Sequence, residues 1–539
     1  MKDTVKSAAT APIGAAEVSP WGPLRRRLFR TLWIATVVSN TGTWMHDVGA
    51  GWLMTSLAPT PLMVALVQAA TTLPMVFLAL PAGALADIVD RRRYLIGTLL
   101  WMLAVATLLG LLTLAGLTTA WTLLGFTFAL GIGSALMLPA WAALTPELVP
   151  RSELLAAVAL NSMGMNVSRA IGPALAGLIV AVAGPGVVFL LNAASFLGVM
   201  GALVWWRRSP RQSTLPAERF VSALRIGLRY ARHAPDLQAV LIRSAAFFLF
   251  ASAQLALLPW LARQELGGGP ELYGFLLACI GGGAVGGALW LPRLRARLSR
   301  DPLVAGATIL YAGTTLALAY IRNVYWLGGV MLISGAAWIT VVSSLMVAAQ
   351  TALPAWVRAR GLAMFMVVFM GGMAGGSALW GQLATDAGIP MALMVAAVGT
   401  LLALAATWMF RLGGHDDSDL APSMHWPAPP VATEPEGERG PVMVMIEYRI
   451  DPVKAAAFIA AMQDMRRMRR RGGAFFWELF NDAEDPARFI ETFLDESWLE
   501  HLRQHERVTV DDRAIQERVA AFHLGGEPPR VSHLLARQP

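Results

Sequence analysis

About twelve apolar stretches, each near the roughly 20 residues that carry a helix across a bilayer, follow one another along this chain. No other feature limits its fold as tightly. They fall at about 31–55, 62–82, 94–116, 119–141, 154–183, 186–206, 238–262, 271–292, 303–321, 324–349, 361–384 and 389–411. Of 539 residues, 56% are hydrophobic and 14% charged, which is more apolar surface than a soluble core buries, so the chain is an all-α polytopic membrane protein over most of its length. The single cysteine, Cys279, excludes an internal disulfide framework and a multi-thiolate metal site.

The arginines give the stretches an orientation. Arg25, Arg26, Arg27 and Arg30 precede the first, Arg91 to Arg93 follow the second, and Arg151 follows the fourth. Arg207, Arg208 and Arg211 begin a long central loop, and Arg293, Arg295, Arg358 and Arg360 mark later ends on the same side. The opposite loops, such as Ala58-Pro59-Thr60-Pro61, carry almost none, which places both termini in the cytoplasm of a cell (inner) membrane protein. The net charge of +8 is explained by this topology, and no nucleic-acid partner is implied. Residues 1–23 lack an apolar core and read as a cytoplasmic tail.

The central loop at 207–235 divides the stretches six and six, giving helical bundles at 24–206 and 236–411. The run Thr145 to Arg151 before the fifth stretch is echoed by Thr351 to Arg358 before the eleventh, the weak internal symmetry of paired bundles facing a midplane cavity. Residues 412–440, rich in Asp and Pro, read as a flexible linker. From 441 to 539 the chain is amphipathic and soluble, a cytoplasmic α+β domain. Strands are expected at 442–450, 474–480 and 488–494, and helices at 452–470, 496–505 and 511–523.

Between the second and third stretches lies Gly83-Ala84-Leu85-Ala86-Asp87-Ile88-Val89-Asp90-Arg91-Arg92-Arg93. It resembles the signature loop of the major facilitator superfamily, of the form G-x-L-A-D-x-x-G-R-R-x, with Asp90 in place of the second glycine. Gly172-Pro173 and Gly177 in the fifth stretch resemble the core of that superfamily's antiporter signature. Asn40 to Met45 with Gly51-Trp52 is similar to the branch containing the enterobactin exporter. The tail, through Glu500 to Val508, is similar to antibiotic biosynthesis monooxygenase-like domains, which are ferredoxin-like modules that pair into dimers.

The resemblance implies two six-helix bundles that transport by alternating access. It implies a conformational latch in Gly83, Asp87, Asp90, Arg91 and Arg92, with Asp87 paired to Arg91 or Arg92, and a stiff helix gate in Gly172, Pro173 and Gly177. The second half has no intact copy of the acidic loop, which makes Asp87 the sharper target. Asp47 and Arg169 lie about 24 Å and a similar depth along their spans at 1.5 Å per residue, where an unpaired charge costs at least about 2.5–3.5 kcal/mol. Proton exchange at Asp47, with His46 beside it and Arg169 tuning it, is the expectation. Asn40, Gln68, Asn161, Asn166, Arg243 and Gln254 are candidate cavity or helix-packing polar groups. In the tail, His501 and His505 lie one helical turn apart without an evident third ligand, so no metal and no cofactor are expected.

No Gly-Lys-Ser/Thr phosphate loop is present, so an ion gradient is the expected energy source. The reading is a proton-coupled secondary exporter of an amphipathic small molecule, such as a siderophore or drug-like compound. The alternatives are a membrane-tethered enzyme whose tail modifies that compound, and a regulatory or dimerising tail at 441–539. The expected partners are the substrate, protons and the lipid bilayer.

Overall fold

The computed structural model describes residues 19–206, 228–354, 356–412, 421, 423, 425, 426 and 439–536. Side chains at 80, 84, 86–88, 143, 151 and 506 lie outside the described set, as do the sequence expectations for 1–18, 207–227 and most of the linker. The long helices before the tail are α1 (Arg27–Leu57), α2 (Pro61–Ile88), α3 (Arg91–Leu114), α4 (Ala120–Leu148), α5 (Leu154–Ala183) and α6 (Pro185–Trp205). They continue as α7 (Pro235–Trp260), α8 (Pro270–Arg295), α9 (Arg300–Tyr320), α10 (Val324–Thr351), α11 (Arg358–Ala387) and α12 (Ile389–Ala406).

Eleven of these, α2 to α12, are long and apolar enough to cross a membrane. The 31-residue α1 is long enough but carries Asn40, His46, Asp47 and several Ser, Thr and Gly residues, and it falls below that apolarity. The helices extend past the apolar stretches into the arginines, so Arg91 opens α3 and Arg358 opens α11 rather than lying in loops. Long arginine stems reach head-group level from a helix end, which makes this extension inexpensive.

Start and stop chemistry accounts for the boundaries. Proline stands at the first helical position of α2, α6, α7 and α8, where its missing N–H is no loss. Gly184 and Gly388, at φ +79° and +84°, separate α5 from α6 and α11 from α12, a backbone that disfavours any other residue. Matching glycine turns at the same place in each half support the internal symmetry read from Thr145 to Arg151 and Thr351 to Arg358.

Two compact units form. The first contains α1, the chain from Pro81 through α6, and Ala262–Gly281; the second contains Pro59–Leu80, α7 to Leu261, and the chain from Gly282 onward. In the first, α1 packs on α5 and α6, and α3 on α4 and α6, around Leu32, Leu99, Met102, Phe196 and Leu203. In the second, α7 packs on α11 and α12, and α9 on α10 and α12, around an aromatic cluster of Phe247, Phe248, Tyr311, Trp338 and Phe365.

The tail belongs to the second unit and has the order β1 (Val442–Arg449), α13 (Ala455–Gly472), β2 (Phe476–Asn481), β3 (Arg488–Asp495), α14 (Trp498–Arg507), α15 (Val510–Ala520) and β4 (Arg530–Leu535). Its antiparallel sheet runs β2-β3-β1-β4. The expected strands and helices are present, and β4 is an additional edge strand. Alternation in β1 turns Val442, Val444, Ile446 and Tyr448 inward, against Phe458, Met462 and Met465 of α13.

One inward position on β3 is an acid. Fully buried Glu491 accepts from Arg469 Nε (2.9 Å), Trp477 Nε1 (2.9 Å) and the Tyr448 hydroxyl (3.0 Å), and the Arg469 guanidinium lies 4.4 Å from the Phe493 ring centre. Burial opposes the Arg469 charge, yet Glu491 holds its pKa above the ordinary value; burial and the Glu491 charge push Tyr448 well above its own. Removing one partner strands the other charge, a loss of about 3–5 kcal/mol. Arg469→Met is therefore expected to destabilise the tail by that amount in denaturant melts followed by hydrogen exchange. Arg469→Met with Glu491→Gln should recover part of it, because a neutral glutamine still accepts from Trp477.

Candidate functional site

At the α2–α3 turn, the Asp87 side chain lies outside the described residues and an added Cβ at Gly83 would meet nothing within 4 Å. Asp90, which replaces the signature glycine, has a defined job: its carboxylate accepts the Arg93 N–H at 2.9 Å and caps α3. The negative cap also offsets three arginines at the positive end of the helix dipole. Arg91 pairs with Glu147 of α4 at 2.7 Å. Arg92 donates to the carbonyls of Leu203 (2.8 Å) and Val204 (2.6 Å), capping the negative end of α6. Glu147, an acid that faces Arg91 among the described residues, stands inside the Thr145–Arg151 run and was legible there only as a repeat.

Deeper in the first unit, three nearly successive residues of α1 reach three different helices. Trp44 packs against α5, where Arg169 lies 5.2 Å over its ring and the Arg169 Nε is buried without a hydrogen-bond partner. Buried His46 packs on Phe189 of α6 at 4.5 Å, and neither ring nitrogen has a hydrogen-bond partner among the described residues. Half-buried Asp47 comes within electrostatic reach of Tyr273 on α8. No ion pair joins Asp47 to Arg169 among the described residues, and His46 and Asp47 face different neighbours. Toward the C-terminal end of α1, Trp52 stacks on Tyr273 at 6.4 Å, and Arg263 lies 5.4 Å over Trp52 while donating to Thr55 at 3.0 Å.

The glycines of α5 are contact points. A Cβ at Gly172 would stand 2.6 Å from the Trp44 Cβ, and one at Gly177 would stand 2.8 Å from the Pro270 carbonyl oxygen. Reciprocally, a Cβ at Gly274 would meet the Pro173 carbonyl at 2.6 Å, and one at Gly281 the Ala170 Cα at 2.8 Å. The backbones of α5 and α8 therefore touch along two turns, the small-residue packing of membrane helices.

Most other polar candidates are helix ties. Asn161 donates to Thr145 at 3.2 Å, joining α5 to α4, and Asn166 donates to the Ser162 carbonyl of its own helix at 3.0 Å. Gln254 bonds Ser334 at 2.8 Å and accepts from Thr315 at 3.4 Å, knotting α7 to α10 and α9. Arg243 is 4% exposed and pairs with Asp301, whose carboxylate also accepts the Leu412 N–H at 3.1 Å. Asn40 and Gln68 are half-buried and show no side-chain hydrogen bond among the described residues.

Within the second unit the tail is docked on helix ends. Arg229, in a short helix at 228–233, donates to the Gly473 carbonyl and pairs with Glu496 at 3.1 Å. The Arg507 guanidinium lies 4.7 Å over Trp356, whose ring meets Tyr230 edge-on at 5.6 Å. Burial pushes the Tyr230 hydroxyl up to about 12. Beside this contact lies a cavity of about 920 Å³ lined by Tyr230, Asp236, Arg300, Arg358, Arg471 and Asp511 among others. The described part of the linker is also tied down: Ser423 N–H donates to the Val508 carbonyl at 2.9 Å and Trp426 Nε1 to Gln516 at 2.8 Å.

Long apolar helices in two related sets, with a basic capped loop after the second, define a transporter fold of the major facilitator type. The chain belongs to the transmembrane secretion effector family (MFS_3), which matches residues 18–539. Similar proteins are the uncharacterized MFS-type transporter YfiS of Bacillus subtilis (strain 168), 26% identical over 47% of this chain and 61% of that protein, and the staphyloferrin A transporter of Staphylococcus aureus (strain NCTC 8325 / PS 47), 24% identical over 47% and 64%. Macrolide efflux protein A of Streptococcus pyogenes is 24% identical over 33% of this chain and 42% of its own. These matches span less than two thirds of each relative. Among solved structures, an inward-facing, occupied bacterial homolog of the human lysosomal transporter Spinster shares the fold with a TM-score of 0.57 at 14% identity, covering 72% of this chain and 97% of that one. A bacterial homologue of the iron transporter ferroportin in an inward-facing state gives 0.56 at 16%, covering 71% and 98%.

Gly177→Leu is expected to force α5 from α8 and lower the melting temperature of the detergent-solubilised protein, an overpacking cost of about 1–3 kcal/mol. Gly177→Ala should fall between. Arg229→Ala with Arg507→Ala should leave the tail folded and raise hydrogen exchange in the 496–508 segment.

Proposed function

We propose that this protein is a secondary active exporter that expels an amphipathic small molecule by alternating access, driven by the proton gradient, with α1 as the twelfth span and both termini in the cytoplasm of a cell (inner) membrane protein. One observation carries the reading: Asp47, an acid on α1 among apolar helices, has no ion-pair partner among the described residues and stands near Tyr273 of α8. An acid so placed is stable in the membrane when neutral, and it ionises when water or a cation reaches it. Protonation from one side and release to the other then bias two states of the bundle. Trp44, Arg169 and His46 position the acid by holding α1 against α5 and α6. Asn40, with no side-chain hydrogen bond among the described residues, and separately Gln68, likewise, are candidate polar groups for the substrate.

The names of two relatives, a staphyloferrin A transporter and a macrolide efflux protein, support a siderophore or drug-like substrate and outward transport. The latch is assigned to the α2–α3 turn, with Asp87 joined by Arg91 and Glu147. The contact of Gly172 with Trp44 of α1 and those of Pro173 and Gly177 with α8 are assigned to the gate against leakage. The tail, whose order β1-α13-β2-β3-α14/α15-β4 is that of a ferredoxin-like module, is assigned a regulatory or dimerising role. Its docking through Arg229 and Glu496 favours control over an independent enzyme.

Inverted vesicles loaded through the exporter should accumulate a fluorescent siderophore or macrolide in a manner abolished by a proton uncoupler. Asp47→Asn should lose the uncoupler-sensitive part of that accumulation while keeping downhill exchange. Accumulation by Asp47→Asn that retains full dependence on the proton gradient would overturn the assignment. Deleting 441–539 should alter the rate or oligomeric state without abolishing transport.

A further inference from the structure

The tail brings together three of the chain's eight histidines. His501 and His505 lie one turn apart on α14, so their rings share a face, and their Nε2 atoms are 3.3 Å apart. The third is His533 on β4, opposite Val444 of β1 and on the inward side of the sheet. One ring nitrogen from each lies within 4.8 Å of the others; His501 is buried and the other two are half-buried. From these side chains the geometry points to a binding site for a divalent first-row transition cation of the zinc class, with His501, His505 and His533 as its protein ligands.

Three observations support this assignment. First, a tetrahedral ion with metal–nitrogen bonds of about 2.0–2.1 Å needs nitrogens about 3.3 Å apart, a separation the His501–His505 pair already has. His533 completes the set by a shift of about 1–1.5 Å, a rotamer adjustment on an edge strand. Second, His501 already has the outer support found behind metal-bound imidazoles: its Nδ1 bonds the buried Asp495 carboxylate at 2.9 Å. With Asp495 ionised, that bond leaves the proton on Nδ1 and the Nε2 lone pair directed at the cluster. Third, the other Asp495 oxygen accepts from Gln504 Nε2 at 3.0 Å, which fixes the carboxylate.

The donor set selects the ion. Three imidazoles suit zinc, copper, nickel or iron, whereas magnesium and calcium require oxygen ligands. Three protein ligands leave a fourth position for water or a small anion, the arrangement of open rather than closed zinc sites. The site also reaches the linker, because the Trp426 ring meets His505 edge-on at 4.8 Å. Trp498 lies 5.5 Å from His501 and 6.2 Å from His533. Ion occupancy is therefore readable in tryptophan emission. The proposal rests on the tail's own geometry and stands or falls separately from the transport reading.

The test uses the full-length protein in detergent, purified without a histidine tag and stripped with chelator. Zn²⁺ or Co²⁺ is added, excess is removed by desalting against a weak chelator, and retained metal is measured by elemental analysis. One equivalent per chain is expected, with quenching of tryptophan emission by Co²⁺ and no retention of Mg²⁺. His533→Gln and His505→Gln should each lose the retained equivalent. Asp495→Asn should weaken binding about 10–100-fold. His533→Gln and His505→Gln are the primary variants because both residues are half-buried, and unchanged tail hydrogen exchange shows that they fold. Retention of the same equivalent by the double variant His505→Gln/His533→Gln, or no retention by the wild type, would overturn the proposal.

Discussion

Helices surrounded by hydrocarbon gain little from placing leucine against leucine, because lipid offers the same surface. What remains is close approach, and close approach needs residues without side chains. The α5–α8 contact depends on this: Gly177, Gly274 and Gly281 allow carbonyls and Cα atoms to meet where a methyl group would stand 2.6–2.8 Å from a neighbour's backbone. In the second unit, Gly283 and Gly376 do the same, a Cβ there falling 1.9 Å from the Leu332 carbonyl and 2.1 Å from the Ser252 hydroxyl. These glycines are in this sense core residues as much as the leucines.

Polar groups inside the helical part divide into those spent on structure and those left available. Gln254 with Ser334 and Thr315, Asn161 with Thr145, and Arg243 with Asp301 are committed to holding helices together. Each removes a polar atom from hydrocarbon by giving it to a neighbouring helix, the cheapest solution the membrane permits. Asn40, Gln68 and Asp47 are not so committed, and all three lie on α1 or α2. The least apolar of the long helices is therefore the one with the most chemistry to offer.

Much of this arrangement was legible in the chain. Apolar length and arginine placement gave the helices and their order, because both follow from the bilayer's thickness and its charge asymmetry. The glycine contacts of α5 were legible as small residues at helical spacing. Partners across space were not: Glu147 gave no local sign that it would meet Arg91, and Asp90 looked like a defect in a signature until its carboxylate was seen capping α3. The fourth strand was missed because Arg530–Leu535 is a half-exposed edge with little alternation. With it went His533, the residue that turns a pair of histidines one turn apart into a cluster. The partners of Ser423 and Trp426, Val508 and Gln516, were not legible for the same reason.

Trp44, His46 and Asp47 subtend successive angles of an α-helix, about 100° per residue, and each meets a different wall. Such a helix behaves as a keyed spindle. Any rotation of α1 that slides Trp44 off the Arg169 guanidinium must also turn the imidazole from Phe189, so these contacts change together or not at all. The linkage is set by the angular spacing of side chains on one helix rather than by the strength of any one bond.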